Sequence, residues 1–282
     1  MRVSASTKVY GIFGHPVEHS LSPVMHNSAF KALRLDCVYL AFDIQMRDLE
    51  TAARAIKSLG IAGVNITIPH KESMTFFLDK MSPEATLTGA INTVKNENGK
   101  LTGYNTDVGG FLRAIKEDLG LNPKGLTVAV LGAGGASRAV VSALCMNEVS
   151  RVFVINRTFE KAKKLASEFK KSFKDVSIEA VSPEDSLETE NVLKISDLLV
   201  NATSAGMEGI EQIEIPLEHL PMQSMVYDLV YKPRETTLLK RAKELGHKVS
   251  GGLSMLLYQG AESFEIWTGE TAPVEVMKRV IE

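Results

Sequence analysis

Residues 126–131, Leu-Thr-Val-Ala-Val-Leu, form an almost unbroken apolar run. It leads directly into Gly132-Ala133-Gly134-Gly135-Ala136-Ser137-Arg138. A strand with no polar alternation has no face to give to water, so it belongs in the middle of a parallel sheet. The glycines allow a tight turn and a close backbone approach. A helix expected over 139–146 would then aim its first N–H groups at an anion. Strand, glycine turn and helix together predict a pyrophosphate site at this turn. Ser137 stands where Gly or Ala is more usual for helix–sheet packing, and a serine is small enough to fit. The alternative is a glycine-rich turn that binds nothing.

The next strand bears on that choice. Residues 151–155 are apolar and end in Asn156-Arg157-Thr158, about two dozen residues after the first glycine. A site for NAD would carry an acid near there to hold the ribose 2′-hydroxyl. This chain carries Arg157, with Lys161 one helical turn later. A guanidinium suits a 2′-phosphate, so the expected cofactor is NADP. The alternative is a solvated arginine at a strand end.

The following elements continue the alternation. A Lys-rich helix is expected over 159–173 and a strand over 176–181, followed by an acidic loop at 183–190. Strands are expected over 197–202 and 225–230, a helix over 237–245 and a short strand over 246–249. This describes a doubly wound α/β domain over 121–250. Before it, strands are expected over 9–14 and 37–43, an amphipathic helix over 48–58, and a hairpin of 90–94 with 100–105 around Asn98-Gly99. The tail reads as helices over 254–267 and 273–281. It cannot extend the second sheet, so it is expected to pack back on the first domain. That gives a discontinuous domain of 1–120 plus 251–282, joined to 121–250 by a hinge at 120–125 and 250–252.

Composition excludes several classes of function. A chain of 282 residues suggests about two domains, and a net charge of −2 gives no footprint for nucleic acid or an anionic membrane. Cys37 and Cys145 are the only cysteines, too few for a disulfide framework and in keeping with a reducing cytoplasm. Residues 1–8 lack the apolar core of a signal peptide, and no apolar run approaches a membrane span. A monomer and a homodimer are equally compatible with the sequence.

The first domain holds the groups that could do chemistry. Asn65-Ile66-Thr67-Ile68-Pro69-His70-Lys71 reads as a strand end followed by a helix over 72–78. Lys71 would then sit at the positive end of a helix dipole, an awkward place for an ammonium and a good one for a proton carrier. The alternative is an ordinary solvated lysine. Asn92 and Asp107 fall at other strand ends, where open α/β sheets bind ligands. Ser22 is expected to cap a helix that begins with Pro23. Ser20 and Ser22 would stand at its N-terminus, where hydroxyls and free N–H groups can hold a carboxylate, or simply cap and turn the chain. His15, His19 and His26 invite a metal reading. No cysteine accompanies them, and Pro16 and Pro23 break any helical face that would present all three, so no metal is expected.

Several ordered blocks resemble the shikimate dehydrogenases over essentially the whole chain. They are Gly14-His15-Pro16 with His19-Ser20-Leu21-Ser22-Pro23; Asn65 to Lys71; Gly89-Ala90-Ile91-Asn92-Thr93; and Gly103-Tyr104-Asn105-Thr106-Asp107. In the second half they are Gly132 to Arg138; Asn156-Arg157-Thr158; Asn201-Ala202-Thr203-Ser204; Asp228-Leu229-Val230-Tyr231; and Gly252 with Met255-Leu256-Leu257-Tyr258-Gln259-Gly260. Lys232 departs from the family, which more often has Asn before this Pro.

The resemblance implies two α/β domains, the second of Rossmann type, and reversible reduction of 3-dehydroshikimate by NADPH. It implies that Ser20 and Ser22 hold the substrate carboxylate. Thr67, Lys71, Asn92, Asp107 and Gln259 would hold the ring hydroxyls and the reacting oxygen, and Tyr231 would help close the pocket. Gly132, Ala133, Gly134, Gly135, Ala136 and Ser137 would hold the pyrophosphate, and Asn156, Arg157, Thr158 and Lys161 the 2′-phosphate. Leu229 would contact the cofactor, while Thr203, Gly252 and Met255 would border the nicotinamide. Lys71 and Asp107 are the expected catalytic pair. A quinate/shikimate dehydrogenase with broader substrate or cofactor choice is the alternative enzyme. An NADP-sensing protein without activity is the alternative outside catalysis.

Overall fold

The computed structural model describes residues 3–211 and 214–282. Met1 and Arg2, which open the segment read above as lacking a signal peptide, lie outside the described residues. The chain divides into two compact units, one of the residues up to Gly110 with Leu257–Glu282, the other of Phe111–Leu256.

The first unit contains β1 (Lys8–Gly14), α1 (Ser22–Ala32), β2 (Cys37–Asp43), α2 (Leu49–Ser58), β3 (Gly63–Ile66), β4 (Lys80–Met81), α3 (Pro83–Thr88), β5 (Thr93–Glu97) and β6 (Lys100–Tyr104). Helix α4 (Thr106–Leu119) starts there. The six strands lie in the order β2-β1-β3-β5-β6-β4. β1 runs parallel to β2 and β3, whereas β5 runs antiparallel to both of its neighbours, β3 and β6. The β5–β6 turn is the Asn98-Gly99 hairpin, with both residues at positive φ, 54° and 82°, as a type I′ turn demands. Register places Asn65 of β3 opposite Thr93 of β5, so two polar side chains meet inside an otherwise apolar sheet.

One face of this sheet packs Phe13, Ile56, Ile66, Met74 and Leu101 into a buried core. Elsewhere in the unit an aromatic cluster joins Tyr10, Phe30, Phe264 and Trp267. Phe264 and Trp267 belong to α9 (Leu253–Thr268), whose later turns are thereby held in this unit. The Trp267 indole also donates to the Val94 carbonyl at 3.0 Å.

The second unit contains β7 (Thr127–Leu131), α5 (Gly135–Met146), β8 (Arg151–Ile155), α6 (Phe159–Ser172), β9 (Ser177–Val181), α7 (Ser186–Leu193), β10 (Leu198–Asn201), β11 (Met225–Asp228), α8 (Thr237–Glu244) and β12 (Lys248–Gly251). Its strands lie in the order β12-β11-β10-β7-β8-β9, all parallel. The chain therefore reverses direction across the sheet between β7 and β10. Open sheets of this kind bind ligands at such a switch point.

Four local expectations are corrected. No α-helix follows Lys71; a turn leads instead into a short 3-10 helix, Ser73–Phe77. Strand β4 and helix α3 are additions to the elements expected from sequence, although Ser82, whose hydroxyl accepts from the Ala85 N–H, and Pro83 form a regular helix start. The acidic loop contains α7, capped by Asp185, which accepts from the Glu188 N–H at 2.9 Å. Helix α5 begins at Gly135 rather than 139, because Gly134 takes the extended N-cap conformation.

Candidate active site

On the first unit, the turn after β3 fixes Lys71. The His70 N–H donates to the Thr67 carbonyl at 2.9 Å, and the Ile91 N–H donates to the Lys71 carbonyl at 2.9 Å. The Lys71 ammonium then donates to Asp107 Oδ2 at 2.5 Å, with the two side chains 15% and 6% exposed. Such limited exposure sets this pair apart from the surface ion pairs of the chain, which contribute little. The helix-dipole reason for Lys71 does not survive, since no α-helix starts there. The dipole acts instead on Asp107, which lies in the first turn of α4 where a carboxylate is favoured.

Asn92 organises the surrounding amides. Its Nδ2 lies 2.9 Å from Asp107 Oδ1, 3.1 Å from Gln259 Oε1 and 2.8 Å from Thr106 Oγ1. Its Oδ1 accepts from the Thr106 N–H at 2.8 Å. Gln259 reaches this cluster because Gly110 lets α9 come close: a Cβ there would lie 2.8 Å from Gln259 N.

Ser22 does not cap α1. It is the first helical residue, Leu21 occupies the cap position, and the Ser20 hydroxyl accepts from the Ser22 N–H at 3.2 Å. Buried Ser22 instead shares a hydrogen bond with Tyr39, whose hydroxyl donates to Asn65 Oδ1 at 2.7 Å. Burial drives the Tyr39 phenol well above its ordinary value, and the bond to Ser22 opposes that rise. Thr67 is half-buried, and its methyl fills the space beside Gly14. Of the three histidines, His15 pairs with Asp43 at 2.8 Å, His19 is exposed, and His26 is buried on the Tyr39 ring and pushed down to about 3 by desolvation.

On the second unit, Gly132 has φ 108° and donates its N–H to the Ile155 carbonyl at 2.8 Å. A Cβ at Gly132 would lie 2.7 Å from the Ser137 hydroxyl, so this one position tolerates no side chain. Ser137 is buried with its hydroxyl toward the Ala202 carbonyl at 3.3 Å, in the helix–sheet packing position. Asn156 Nδ2 bridges to the Thr158 carbonyl at 2.8 Å and shapes the loop after β8. Arg157 and Lys161 are exposed, and neither enters an ion pair among the described residues. Thr203 donates to Asn201 Oδ1 at 2.7 Å. Gly252 lies so close to Leu229 that a Cβ would meet its carbonyl oxygen. Met255 is buried, and Tyr231 belongs to this unit rather than to the one that carries Lys71.

Comparison with known proteins decides the family. A family model described as the shikimate dehydrogenase substrate binding domain matches residues 12–94. One described as shikimate / quinate 5-dehydrogenase matches residues 114–236, and a shikimate 5'-dehydrogenase C-terminal domain matches residues 252–282. The shikimate dehydrogenase (NADP(+)) of Methanopyrus kandleri is 47% identical over 99% of this chain and 96% of its own length. That of Desulforamulus reducens is 45% identical over the same shares. The chain belongs to the shikimate dehydrogenase family. In structure it resembles the Listeria monocytogenes shikimate 5-dehydrogenase in complex with shikimate and NAD, with a TM-score of 0.91 and 36% identity over 100% of this chain and 99% of that one.

Within this family frame, two kinds of residue escaped the sequence reading. Tyr39, Thr93 and Thr106 join the polar cluster from inside strands and a helix start, and no local signal distinguishes them from core and cap residues. Glu262 of α9 is the other. Its carboxylate rests on Gly109, in the first turn of α4. Desolvation, helped by the charges of Asp107, Glu265 and Glu84, pushes its pKa up to about 7 from the ordinary 4.5.

This has a measurable consequence for stability. A carboxyl group with a raised folded-state pKa stabilises the fold fully below its unfolded value, and that contribution is lost as pH rises through about 7. The displacement corresponds to at most about 3 kcal/mol. Glu262→Gln therefore unfolds at higher denaturant than wild type at about pH 8, and the difference shrinks toward about pH 5. Urea unfolding at both pH values measures it. A difference that does not change with pH would refute the assignment.

Proposed function

We propose that the protein catalyses the reversible NADPH-dependent reduction of 3-dehydroshikimate to shikimate, a step toward chorismate and the aromatic amino acids. The observation that carries this reading is the buried Lys71–Asp107 pair, with the Asn92 amide on the same carboxylate and next to Gln259 Oε1. A ketone reduction needs hydride at carbon and a proton at oxygen. Bound NADPH supplies the hydride, so the chain's own groups must orient the substrate and move the proton.

In this reading Lys71 transfers the proton, and Asp107 holds both the ammonium and a substrate hydroxyl. Asn92, Gln259 and Thr67 hold further ring hydroxyls, Ser20 and Ser22 hold the carboxylate, and Tyr231 helps to close the pocket. The first unit thus takes the substrate and the second takes the cofactor. Gly132, Ala133, Gly134, Gly135, Ala136 and Ser137 receive the pyrophosphate. The positive φ of Gly132 and its crowded Cβ position support a backbone cradle there. Asn156, Arg157, Thr158 and Lys161 receive the 2′-phosphate, and the exposed charge of Arg157, outside every ion pair among the described residues, supports NADP over NAD. Leu229 contacts the cofactor, and Thr203, Gly252 and Met255 border the nicotinamide. Two free buried cysteines support a cytoplasmic location, and the active form is a monomer or a homodimer.

The test crosses shikimate and quinate with NADP and NAD and follows nicotinamide absorbance. Shikimate with NADP is expected to give the highest kcat/KM. Turnover confined to quinate with NAD would replace this reading by a quinate dehydrogenase. Tight NADP binding without turnover of any pair would make the protein a sensor.

A further inference from the structure

Ser263 lies one helical turn after Gln259 on α9 and is fully buried. None of the roles assigned above uses it. Its hydroxyl has four polar neighbours: Thr93 Oγ1 at 2.7 Å, the Gln259 carbonyl at 2.9 Å, Asn65 Nδ2 at 3.0 Å and Thr106 Oγ1 at 3.1 Å. These come from β5, α9, β3 and the start of α4. It is thus the place where the helix bearing Gln259 meets three elements that carry or abut the other substrate-side groups.

The hydrogen-bond inventory makes this junction directional. A hydroxyl offers one proton and two lone pairs, so it satisfies at most three of its four neighbours at once. The Gln259 carbonyl can only accept, and Asn65 Nδ2 can only donate. When Ser263 donates back to Gln259, its lone pairs serve Asn65 and one threonine. Thr106 accepts from Asn92 Nδ2 at 2.8 Å and lies 3.2 Å from Asn92 Oδ1. Thr93 also lies 3.1 Å from Asn92 Oδ1. The two threonines therefore share Ser263 and compete for Asn92, and Ser263 relieves that competition. Without its hydroxyl, both threonines turn to Asn92 Oδ1, and the amide that faces Asp107 and Gln259 loses its single orientation.

We propose that Ser263 is a positioning residue for substrate binding, which fixes the Asn92 and Gln259 amides through Thr93, Thr106 and Asn65. The proposal rests on the dehydrogenase reading. It concerns the substrate and not the cofactor, because every group Ser263 touches belongs to the first unit.

The experiment is steady-state kinetics of S263A, N92A and the double variant, with shikimate varied at saturating NADP and NADP varied at saturating shikimate. Wild-type turnover tests the dehydrogenase reading first, so its failure is distinguished from a failure of the Ser263 proposal. S263A keeps a good helix former in the helix. It is expected to raise KM for shikimate about 3- to 10-fold, the effect of one net hydrogen bond, while kcat and KM for NADP stay near wild type. Because Ser263 acts through Asn92, the double variant is expected to fall little below N92A alone. An unchanged KM for shikimate, an equal rise in KM for NADP, or strictly additive losses would each overturn the proposal.

Discussion

Replacing Lys71 by alanine is expected to lower kcat for shikimate oxidation by roughly 100- to 10,000-fold, the usual contribution of one positioned acid or base. NADP affinity is expected to stay at the wild-type level, since Lys71 and the glycine cradle at Gly132 belong to different units. The substitution also leaves Asp107 without its cation. Removing one partner of a buried pair can destabilise by about 3–5 kcal/mol. Here the penalty is smaller, because Asp107 keeps the bond from Asn92 Nδ2 at 2.9 Å and its place in the first turn of α4. Thermal unfolding of the same preparation separates the two effects. A variant that melts somewhat lower yet turns over at the wild-type rate would remove Lys71 from the mechanism.

The second large effect concerns cofactor choice. Arg157→Ala is expected to raise KM for NADP on the order of 10- to 100-fold, the range for loss of a hydrogen bond to a charged group. KM for NAD is expected to remain unchanged, because that cofactor has no 2′-phosphate to contact. The result is a protein whose preference between the two cofactors largely disappears. Steady-state kinetics with each cofactor at saturating shikimate measures it. Equal losses for NADP and NAD would show that Arg157 supports the loop after β8 rather than the phosphate. The exposed position of Arg157, outside the ion pairs among the described residues, makes the outcome clean: no structural salt bridge is broken with it.

The candidate site was legible where chemistry depends on short, local patterns. The glycine turn after β7 is readable because one stretch of chain supplies strand, turn and helix start together. Arg157 is readable for the same reason, since its place follows from the spacing of one β-α-β unit. Lys71 and Asp107 could be singled out one at a time as polar residues at strand ends. The helix dipole expected at Lys71 is not there, because Pro69 and His70 lead into a turn and a 3-10 helix rather than an α-helix. Ser22 has the residue type of a helix cap, yet it lies inside the first turn of α1 as a buried partner of Tyr39.

By itself, the sequence determined two α/β domains, the parallel strands of the second sheet, the glycine turn after β7 and the family. All of these are written in periodicity, turn residues and motifs a few dozen residues long. Only the tertiary structure decided which polar groups meet. Asn65 faces Thr93 because of antiparallel register, Asn92 reaches Gln259 across 167 positions of sequence, and Ser263 meets Asn65 across 198. Hydrogen bonds of that range come from packing α9 against strand ends, which no local pattern encodes. The upward shift of the Glu262 carboxyl likewise comes from burial, helped by Asp107, a property of the folded interior and not of the residues on either side of it.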